Sequence, residues 1–301
     1  MKRLRFRLEY DLVRLMLASV GRLPWRATSA MGSAVGWIFR VLDRRHRRIA
    51  ADNVAAAFPH LGPAEQRAIV RGVFDHFGRL AFELMKFSGL DREAMLARVE
   101  WEGMEWAEAA ATSGKGILFF TGHFGYWEIQ AIAYAAATGR PIGTLARALD
   151  NPGLHALLER MRGGTGNFPI YRRGALRRVL RALQSNQAVA ILIDQHIQPP
   201  DAVTVSFFDR PAATTVALAL LARRTGAAVI PVFALPAGPG RYRLVIEHPV
   251  EPPADDSPEA ALDFTQRCTD VLEMYVRRHP ELWLWMHRRW RDDDGGGDRG
   301  E

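Results

Sequence analysis

One histidine and one glutamate lie five residues apart in a glycine-containing stretch, where their side chains could act together on a proton. The stretch reads TGHFGYWE over residues 121–128 and contains His123 and Glu128. A neutral imidazole accepts a proton near pH 7, and a carboxylate on its other ring nitrogen fixes the tautomer and stabilises the imidazolium that forms. The pair therefore predicts general-base chemistry, with His123 as the base and Glu128 as the group that orients it.

The residues on either side of this stretch predict a strand-to-helix junction. Residues 116–121 form a short apolar run typical of a buried parallel strand, and residues 128–137 read as a helix. On one continuous helix, a separation of five residues turns two side chains about 140° apart, so the pair can meet only if His123 precedes the helix. Gly122 and Gly125 make the bend feasible, and their backbone amides are candidates for stabilising an oxyanion.

The sequence offers no obvious protein nucleophile. The single cysteine, Cys268, lies far away in a helical segment, and there is no Gly-x-Ser-x-Gly motif. These observations favour direct attack by a substrate hydroxyl on an activated acyl group. An isolated His-x4-Glu is also typical of a turn-capping histidine beside a glutamate on a solvated helix face, so the rest of the chain has to decide.

Helix-like and strand-like segments alternate along the chain and predict an α/β fold, a mostly parallel sheet covered by helices. The predicted strands are 141–146, 188–194 and 228–235, with edge or hairpin strands at 203–208 and 242–247; the predicted helices are 64–86, 152–162, 174–185 and 211–225. We expect N-terminal helices over residues 1–50, an α/β domain over 51–291 and a disordered acidic, glycine-rich tail over 292–301.

Positive charge is concentrated at the N-terminus. Residues 1–50 hold 12 Lys and Arg against three acidic residues, while the whole chain carries a net charge of +7. Leu4, Leu8, Leu12 and Leu15 recur at helical spacing, which predicts an amphipathic helix on a membrane surface. The uncharged run at 27–39 is shorter than the about 20 residues that span a bilayer, and no cleavable signal peptide is evident. The alternative is that these helices only pack on the domain.

The motif and several other segments together resemble one family. TGHFGYWE resembles the His-x4-(Asp/Glu) signature of glycerolipid-type acyltransferases, in particular the bacterial lipid A late acyltransferases that add lauroyl or myristoyl chains. Similar segments follow in the same order over roughly residues 40–290, at 53–83, 151–166, 189–195, 205–233 and 279–290. The resemblance implies acyl transfer from a thioester, acyl carrier protein or acyl-CoA, to a hydroxyl of a glycolipid, and it implies no metal or cofactor.

Further candidate residues lie where predicted elements end, which is where binding residues concentrate. Arg147, Arg162 and Arg173 could bind phosphate or polarise an oxyanion, or they could lie on solvated faces. Asp194 and Gln195 follow a predicted strand, where Asp194 could orient an arginine or the acceptor, or cap a turn. The resemblance places Arg162 and Asp194 in the family's active site.

The sequence therefore predicts a membrane-associated acyltransferase on the cytoplasmic face of the bacterial inner membrane. Its expected partners are acyl carrier protein or acyl-CoA, a glycolipid acceptor and the membrane surface. A lipid A-type acceptor is favoured, and a phosphatidylinositol mannoside or an aminolipid is the alternative. A thioesterase and a membrane-surface binding protein with a vestigial site remain open. Nucleic-acid binding is disfavoured because no recognised module is present.

Overall fold

The computed structural model describes residues 2–171, 174–198 and 200–290, so the predicted tail at 292–301 lies outside the described residues. Nine strands form two sheets within this part of the chain. They are β1 (Val99–Glu102), β2 (Ile117–Thr121), β3 (Ile142–Ala146), β4 (Phe168–Tyr171), β5 (Ala188–Leu192), β6 (Ala202–Phe207), β7 (Arg210–Thr215), β8 (Ala228–Pro236) and β9 (Tyr242–Ile246).

The main sheet has seven strands in the order β1-β9-β8-β2-β5-β3-β4. Neighbouring strands run parallel except β8 and β9, which form an antiparallel pair. The prediction of a mostly parallel sheet is confirmed. β2 lies in the middle of the sheet between β5 and β8, and all five of its residues are buried. A central parallel strand covered on both faces needs such a continuous apolar sequence.

Helices cover both faces of the sheet, and five of them precede the first strand in the chain. They are α1 (Lys2–Arg22), α2 (Trp25–Leu42), α3 (Arg44–Ala57), α4 (Pro63–Phe87), α5 (Arg92–Leu96), α6 (Met104–Thr112), α7 (Trp127–Thr138), α8 (Pro152–Gly163), α9 (Ala175–Gln184), α10 (Ala217–Thr225) and α11 (Pro258–Arg278), with a short 3-10 helix at Pro280–Leu282. Leu118 and Phe120 of β2 join one apolar core, and Ile117 and Phe119 join another on the opposite face.

The predicted helix at 211–225 is wrong over its first half. Residues Arg210–Thr215 form β7, which pairs antiparallel with β6 in a separate two-stranded sheet, and only Ala217–Thr225 is helical. Phe208 and Asp209 connect the two strands with φ angles of 54° and 57°. Two successive residues with positive φ are typical of the tight turn that joins twisted antiparallel strands. The four-residue strands β1 and β4 were not predicted, because they are too short to give a periodic signal.

The helices α2 and α4 touch backbone to backbone. A Cβ atom on Gly36 of α2 would lie 2.1 Å from the carbonyl oxygen of Phe74, and a Cβ atom on Gly78 of α4 would lie 2.2 Å from that of Gly32. Only glycine permits this approach. The α2 helix is thereby fixed against the α/β domain, and the predicted boundary at residue 50 lies within α3.

The first helix is anchored through its backbone. The buried Lys86 ammonium donates to the carbonyl oxygens of Gly21 and Leu23 at 3.0 and 2.7 Å, beside the end of α1. Asn151 donates to the carbonyl oxygen of Phe6 at 2.9 Å. Among the described helices, none is both long and apolar enough to span a membrane.

Candidate active site

The ends of two neighbouring strands bring His123 and Asp194 together. β2 and β5 are parallel, with Thr121 opposite Leu192, so residues two positions beyond this pair leave the sheet side by side. Parallel strands place their carboxyl ends at one edge of the sheet, which is where ligands bind in open α/β folds. His123 and Asp194 occupy those two positions.

Asp194 holds His123 through both of its carboxylate oxygens. Its Oδ1 lies 2.9 Å from the imidazole Nδ1, and its Oδ2 accepts a 2.7 Å hydrogen bond from the backbone N–H of His123. The indole N–H of Trp283 donates to the same Oδ2 at 2.8 Å. The carboxylate is almost completely buried, whereas 19% of the His123 side chain is exposed. Asp194 therefore fixes the imidazole and leaves its Nε2 directed away from the pair.

The charges and hydrogen bonds of this pair shift both pKa values toward the ionised forms, against the effect of burial. Burial alone would lower the pKa of His123, but the charge and hydrogen bond of Asp194, with a smaller contribution from Glu128, raise it above the usual value. Burial alone would raise the pKa of Asp194, but His123 and the three N–H donors lower it. An imidazole with a strengthened affinity for a proton suits a general base.

The prediction that Glu128 orients His123 is wrong. Glu128 lies in the first turn of α7 and binds the guanidinium of Arg162 at the end of α8. Arg162 Nε donates to Oε2 at 2.8 Å, and Nη2 donates to Oε1. The strand register sets this outcome, because Asp194 reaches Nδ1 from the neighbouring strand while Glu128 points from the helix start toward α8. Glu128 still lies close enough to raise the pKa of His123.

The two candidate glycines have different surroundings. A Cβ atom on Gly122 would lie 3.1 Å from the Asp194 carboxylate and 3.0 Å from a methyl group of Leu272, so glycine is what lets the carboxylate approach. Gly125 has a φ of 56°, and its N–H donates to the carbonyl oxygen of Leu282 at 2.9 Å. The prediction that Gly125 offers an amide to an oxyanion is therefore wrong.

Residues that the sequence analysis did not assign to the site hold the turn at residues 122–126 in place. The N–H of Leu284 donates to the carbonyl oxygen of His123 at 3.1 Å. The buried His76 of α4 lies with its Nε2 3.1 Å from the carbonyl oxygen of Gly125. Burial lowers the pKa of His76 to about 4, so it is neutral and donates from Nε2. The aromatic C-terminal run containing Trp283 was the only sequence signal for these contacts.

An apolar pocket lies between the sheet and α7, directly beside the site. The salt bridge between Glu128 and Arg162 forms part of its wall, and its other walls include Trp101, Phe119, Tyr134, Ile142 and Leu192. Two buried oxygens, Thr121 Oγ1 and Gln130 Oε1, belong to residues of this lining and have no partner in the part of the chain that the structure describes. The pocket offers an apolar volume that begins at the charged site.

The remaining candidate residues are less closely tied to the site. Arg147 follows β3 and is exposed, and Gln195 is exposed beside Asp194. Arg173 lies outside the described residues, so its binding role stays a prediction. Residues 2–171, 174–198 and 200–290 contain no group of three His, Cys, Asp or Glu side chains arranged to hold a metal ion.

Comparison with known proteins identifies relatives over nearly the whole chain. The family model described as bacterial lipid A biosynthesis acyltransferase matches residues 3–292. The lipid A biosynthesis lauroyltransferase of Escherichia coli is 28% identical over 277 residues, covering 90% of this chain and 88% of that protein. The lipid A biosynthesis myristoyltransferase of E. coli is 25% identical over 272 residues, covering 90% and 83%. The phosphatidylinositol mannoside acyltransferase of Mycobacterium tuberculosis is 24% identical over 291 residues, covering 89% and 90%.

Proposed function

Because the chain belongs to the bacterial lipid A biosynthesis acyltransferase family and is an acyltransferase, we propose that it transfers a fatty acyl group from a thioester to a hydroxyl of a lipid A-type glycolipid. His123 is the general base in this reaction, and Asp194 is the residue that orients it. The observation that carries the proposal is the His123–Asp194 pair at the carboxyl ends of β2 and β5, beside an apolar pocket.

In the proposed reaction, Nε2 of His123 accepts the proton of the acceptor hydroxyl as its oxygen attacks the thioester carbonyl carbon. The tetrahedral oxyanion that forms then collapses, the carbon–sulfur bond breaks, and the leaving thiolate takes the proton back from the imidazolium. Asp194 remains ionised and keeps the positive imidazolium stable in a buried setting. The step needs no metal and no cofactor, because the thioester is already activated.

Arg162 is proposed to stabilise negative charge on the substrates. Glu128 binds Nε and Nη2 of its guanidinium and so fixes its position at the pocket. A guanidinium held in place stabilises charge at low reorganisation cost. In this account Glu128 positions Arg162, and the nearby Thr121 hydroxyl and Gly122 amide are further candidate donors to the oxyanion.

The apolar pocket is proposed to hold the acyl chain of the donor. Its walls are aromatic and aliphatic, and burying each methylene contributes about 0.8 kcal/mol. The pocket begins at Glu128 and Arg162 and continues along the sheet toward Tyr134 and Ile142, so a chain lying there would place its thioester close to His123. Acyl carrier protein or acyl-CoA is the proposed co-substrate.

A product assay tests this function directly. Purified wild-type protein and His123→Ala are incubated with radiolabelled acyl-acyl carrier protein or acyl-CoA and lipid A that lacks its secondary acyl chains. We expect labelled glycolipid from the wild type only. Label that appears solely as free fatty acid would indicate a thioesterase, and the absence of any His123-dependent product would contradict the proposal.

A phosphatidylinositol mannoside is the second candidate acceptor, because one of the similar proteins acts on that glycolipid according to its name. Offering both glycolipids at equal concentration in the same assay decides between them. The expected product is acylated lipid A, and preferential labelling of the mannoside would assign the other acceptor.

We also propose that the enzyme binds the cytoplasmic face of the bacterial inner membrane through α1 and α2. Leu4, Leu8, Leu12 and Leu15 are each about 60% exposed on α1, and α2 exposes Trp37, Ile38, Phe39 and Leu42. Basic residues flank these side chains. An exposed apolar stripe with flanking cations is typical of helices that lie at a lipid surface.

Substitution tests this anchor better than truncation. Removing α1 would leave the buried Lys86 without its carbonyl partners, so a truncated protein could fail for structural reasons. Replacing the four exposed leucines of α1 by glutamine leaves those contacts intact. We expect the variant to lose sedimentation with anionic phospholipid vesicles while keeping its melting temperature, and unchanged sedimentation would contradict the proposed anchor.

A further inference from the structure

A second groove, separate from the pocket between the sheet and α7, lies between α2 and α4. We call it the α2–α4 groove. Its walls come from α2, α4 and the segment after α11; they include Val35, Phe39, Phe74, Phe77, Ala81 and Met286. The groove lies where α2 and α4 diverge from their glycine contact, so the close approach of the two helices at Gly36 and Gly78 forms its base.

The groove is continuous with the apolar surface of α2. Phe39 lines the groove and is also 60% exposed, and Leu42, three residues further along the same side of α2, is 75% exposed. Phe39 and Leu42 therefore join the groove to the exposed apolar surface of α2. Exposed apolar patches of this kind mark lipid or protein contact sites.

A cluster of arginines lies next to the groove. Residues 40–48 read RVLDRRHRR and contain five arginines against one carboxylate, Asp43. Asp43 and His46, which pair at 2.7 Å, line the groove itself. Arg47 donates to the carbonyl oxygen of Arg40 at 2.7 Å, which holds its charge at the junction of α2 and α3. The surroundings of the groove thus favour an anionic headgroup, and phosphate is the group that guanidinium binds best.

Two residues of the groove connect it to His123. Leu284 lines the groove, and its N–H donates to the carbonyl oxygen of His123 at 3.1 Å. Phe77 of the groove packs against Trp127, with ring centroids 5.8 Å apart, and Trp127 packs against the His123 imidazole at 5.4 Å. Trp127 also lines the acyl pocket. Trp127 therefore lines the pocket, contacts Phe77 of the groove and packs against His123.

We infer that the α2–α4 groove binds one hydrocarbon chain of the glycolipid acceptor, with the acceptor's phosphate at the arginines of residues 40–48. This inference rests on the proposed acyl transfer and names the site of its second substrate. The donor chain lies in the pocket between the sheet and α7, the acceptor chain lies between α2 and α4, and the acceptor hydroxyl and the thioester meet at His123. One active site thereby handles two lipids without placing both chains in the same cavity.

Filling the groove tests this assignment. Ala81 is an exposed residue of α4 that lines the groove, so Ala81→Trp should occupy it without disturbing the core. We expect the KM for lipid A lacking its secondary acyl chains to rise at least tenfold in detergent micelles, because each methylene excluded from an apolar site weakens binding about fourfold. The KM for the acyl donor should stay within about twofold, which places the defect on the acceptor side.

The matched control is Ala68→Trp, the same substitution at another exposed alanine of α4 that does not line the groove. It should leave both KM values unchanged. An unchanged acceptor KM in an active Ala81→Trp enzyme would overturn the inference. Loss of vesicle binding with an unchanged acceptor KM would also overturn it, because the groove would then hold bulk phospholipid. Absence of acyl transfer by the wild type would instead overturn the proposed function, and this inference with it.

The phosphate part of the inference has its own test. Arg44 and Arg48 are exposed, and Nε of Arg48 lies 3.8 Å from Oδ2 of Asp52, which is a weak ion pair. The double variant Arg44→Ala, Arg48→Ala should therefore leave the fold intact. We expect the double variant to raise the KM for the phosphorylated acceptor several-fold, up to about 25-fold for two exposed ion contacts. The KM for the enzymatically dephosphorylated acceptor should not change. An equal change for both acceptors would contradict phosphate binding at these residues.

Discussion

Asp194 and Glu128 are two carboxylates at one site, and they have different partners. Asp194 follows a central strand, is almost completely buried and binds the imidazole of His123. Glu128 begins a helix, lines the acyl pocket and binds the guanidinium of Arg162. The pair close in sequence is therefore not the pair close in space. In the proposed mechanism, Asp194 therefore serves the base, and Glu128, through Arg162, serves the charge of the substrate.

Replacing His123, the proposed base, should have the largest effect on turnover. His123→Ala should lower the turnover of acyl transfer by about 10² to 10⁴, the range for loss of a general base. The fold should persist, because Asp194 keeps its hydrogen bonds from the backbone N–H of residue 123 and from Trp283. Single-turnover kinetics and thermal melting measure the two effects. A stable variant with normal turnover would remove His123 from the mechanism.

Asp194→Asn should cause the second-largest loss of turnover, and it should also lower the stability of the fold. The substitution removes the charge that stabilises the imidazolium and replaces one acceptor oxygen by an NH₂ group, which leaves a buried N–H donor unpaired. An unsatisfied buried donor costs about 1–3 kcal/mol. We expect a fall in turnover of at least about tenfold and a lower free energy of unfolding in urea titrations. A fully active and equally stable variant would show that the carboxylate has neither role.

Glu128→Gln should have a smaller effect, and one of a different kind. The amide keeps one acceptor for Arg162 but loses the bidentate ion pair, so we expect weaker positioning of the guanidinium and a reduction of turnover smaller than that of Asp194→Asn. Arg162→Lys, which keeps the charge but loses the planar fork, is the matched partner and should resemble it. A larger loss for Glu128→Gln than for Asp194→Asn would reverse the roles assigned to the two carboxylates.

Gly122→Ala should produce the smallest effect in this series. The added Cβ would lie 3.1 Å from the Asp194 carboxylate, so that the carboxylate must shift by a few tenths of an ångström relative to His123. We expect turnover to fall a few-fold, with no change in the KM for either substrate, as measured by steady-state kinetics. A changed KM with normal turnover would indicate that Gly122 contacts substrate instead.

The sequence was sufficient to predict the fold class, the position of His123 at the end of a buried strand and most of the elements around it. These features depend on local patterns, namely the apolar run of β2 and the helical residues of α7. The partner of His123 could not be predicted from spacing, because it follows from the register of β5 against β2, which joins residues 71 positions apart. Strand β6 was predicted as an edge or hairpin strand, but its partner β7 was missed, since the turn between them depends on two residues with positive φ that are not glycine.

The hydrogen bonds that hold the turn at residues 122–126 in place also join segments that are distant in the sequence. His76 reaches Gly125 from α4, and the segment at 282–284 reaches residues 123–125 from the C-terminal end. The contact of His76 leaves no local pattern in the sequence, and the aromatic run containing Trp283 is the only signal for the other. The family resemblance placed Asp194 and Arg162 near the site, and the structure adds which residue each of them binds.

The pH dependence of acyl transfer tests the central claim most directly, by comparing wild type, Asp194→Asn and Glu128→Gln under single-turnover conditions. The wild-type rate should rise with pH through the raised pKa of His123 and then level off, because only the neutral imidazole accepts a proton. Removing the Asp194 charge should lower that pKa, so the acid limb should move to lower pH, while Glu128→Gln should move it in the same direction by less. A larger displacement for Glu128→Gln, or none for Asp194→Asn, would contradict the assignment of Asp194 as the partner of the base.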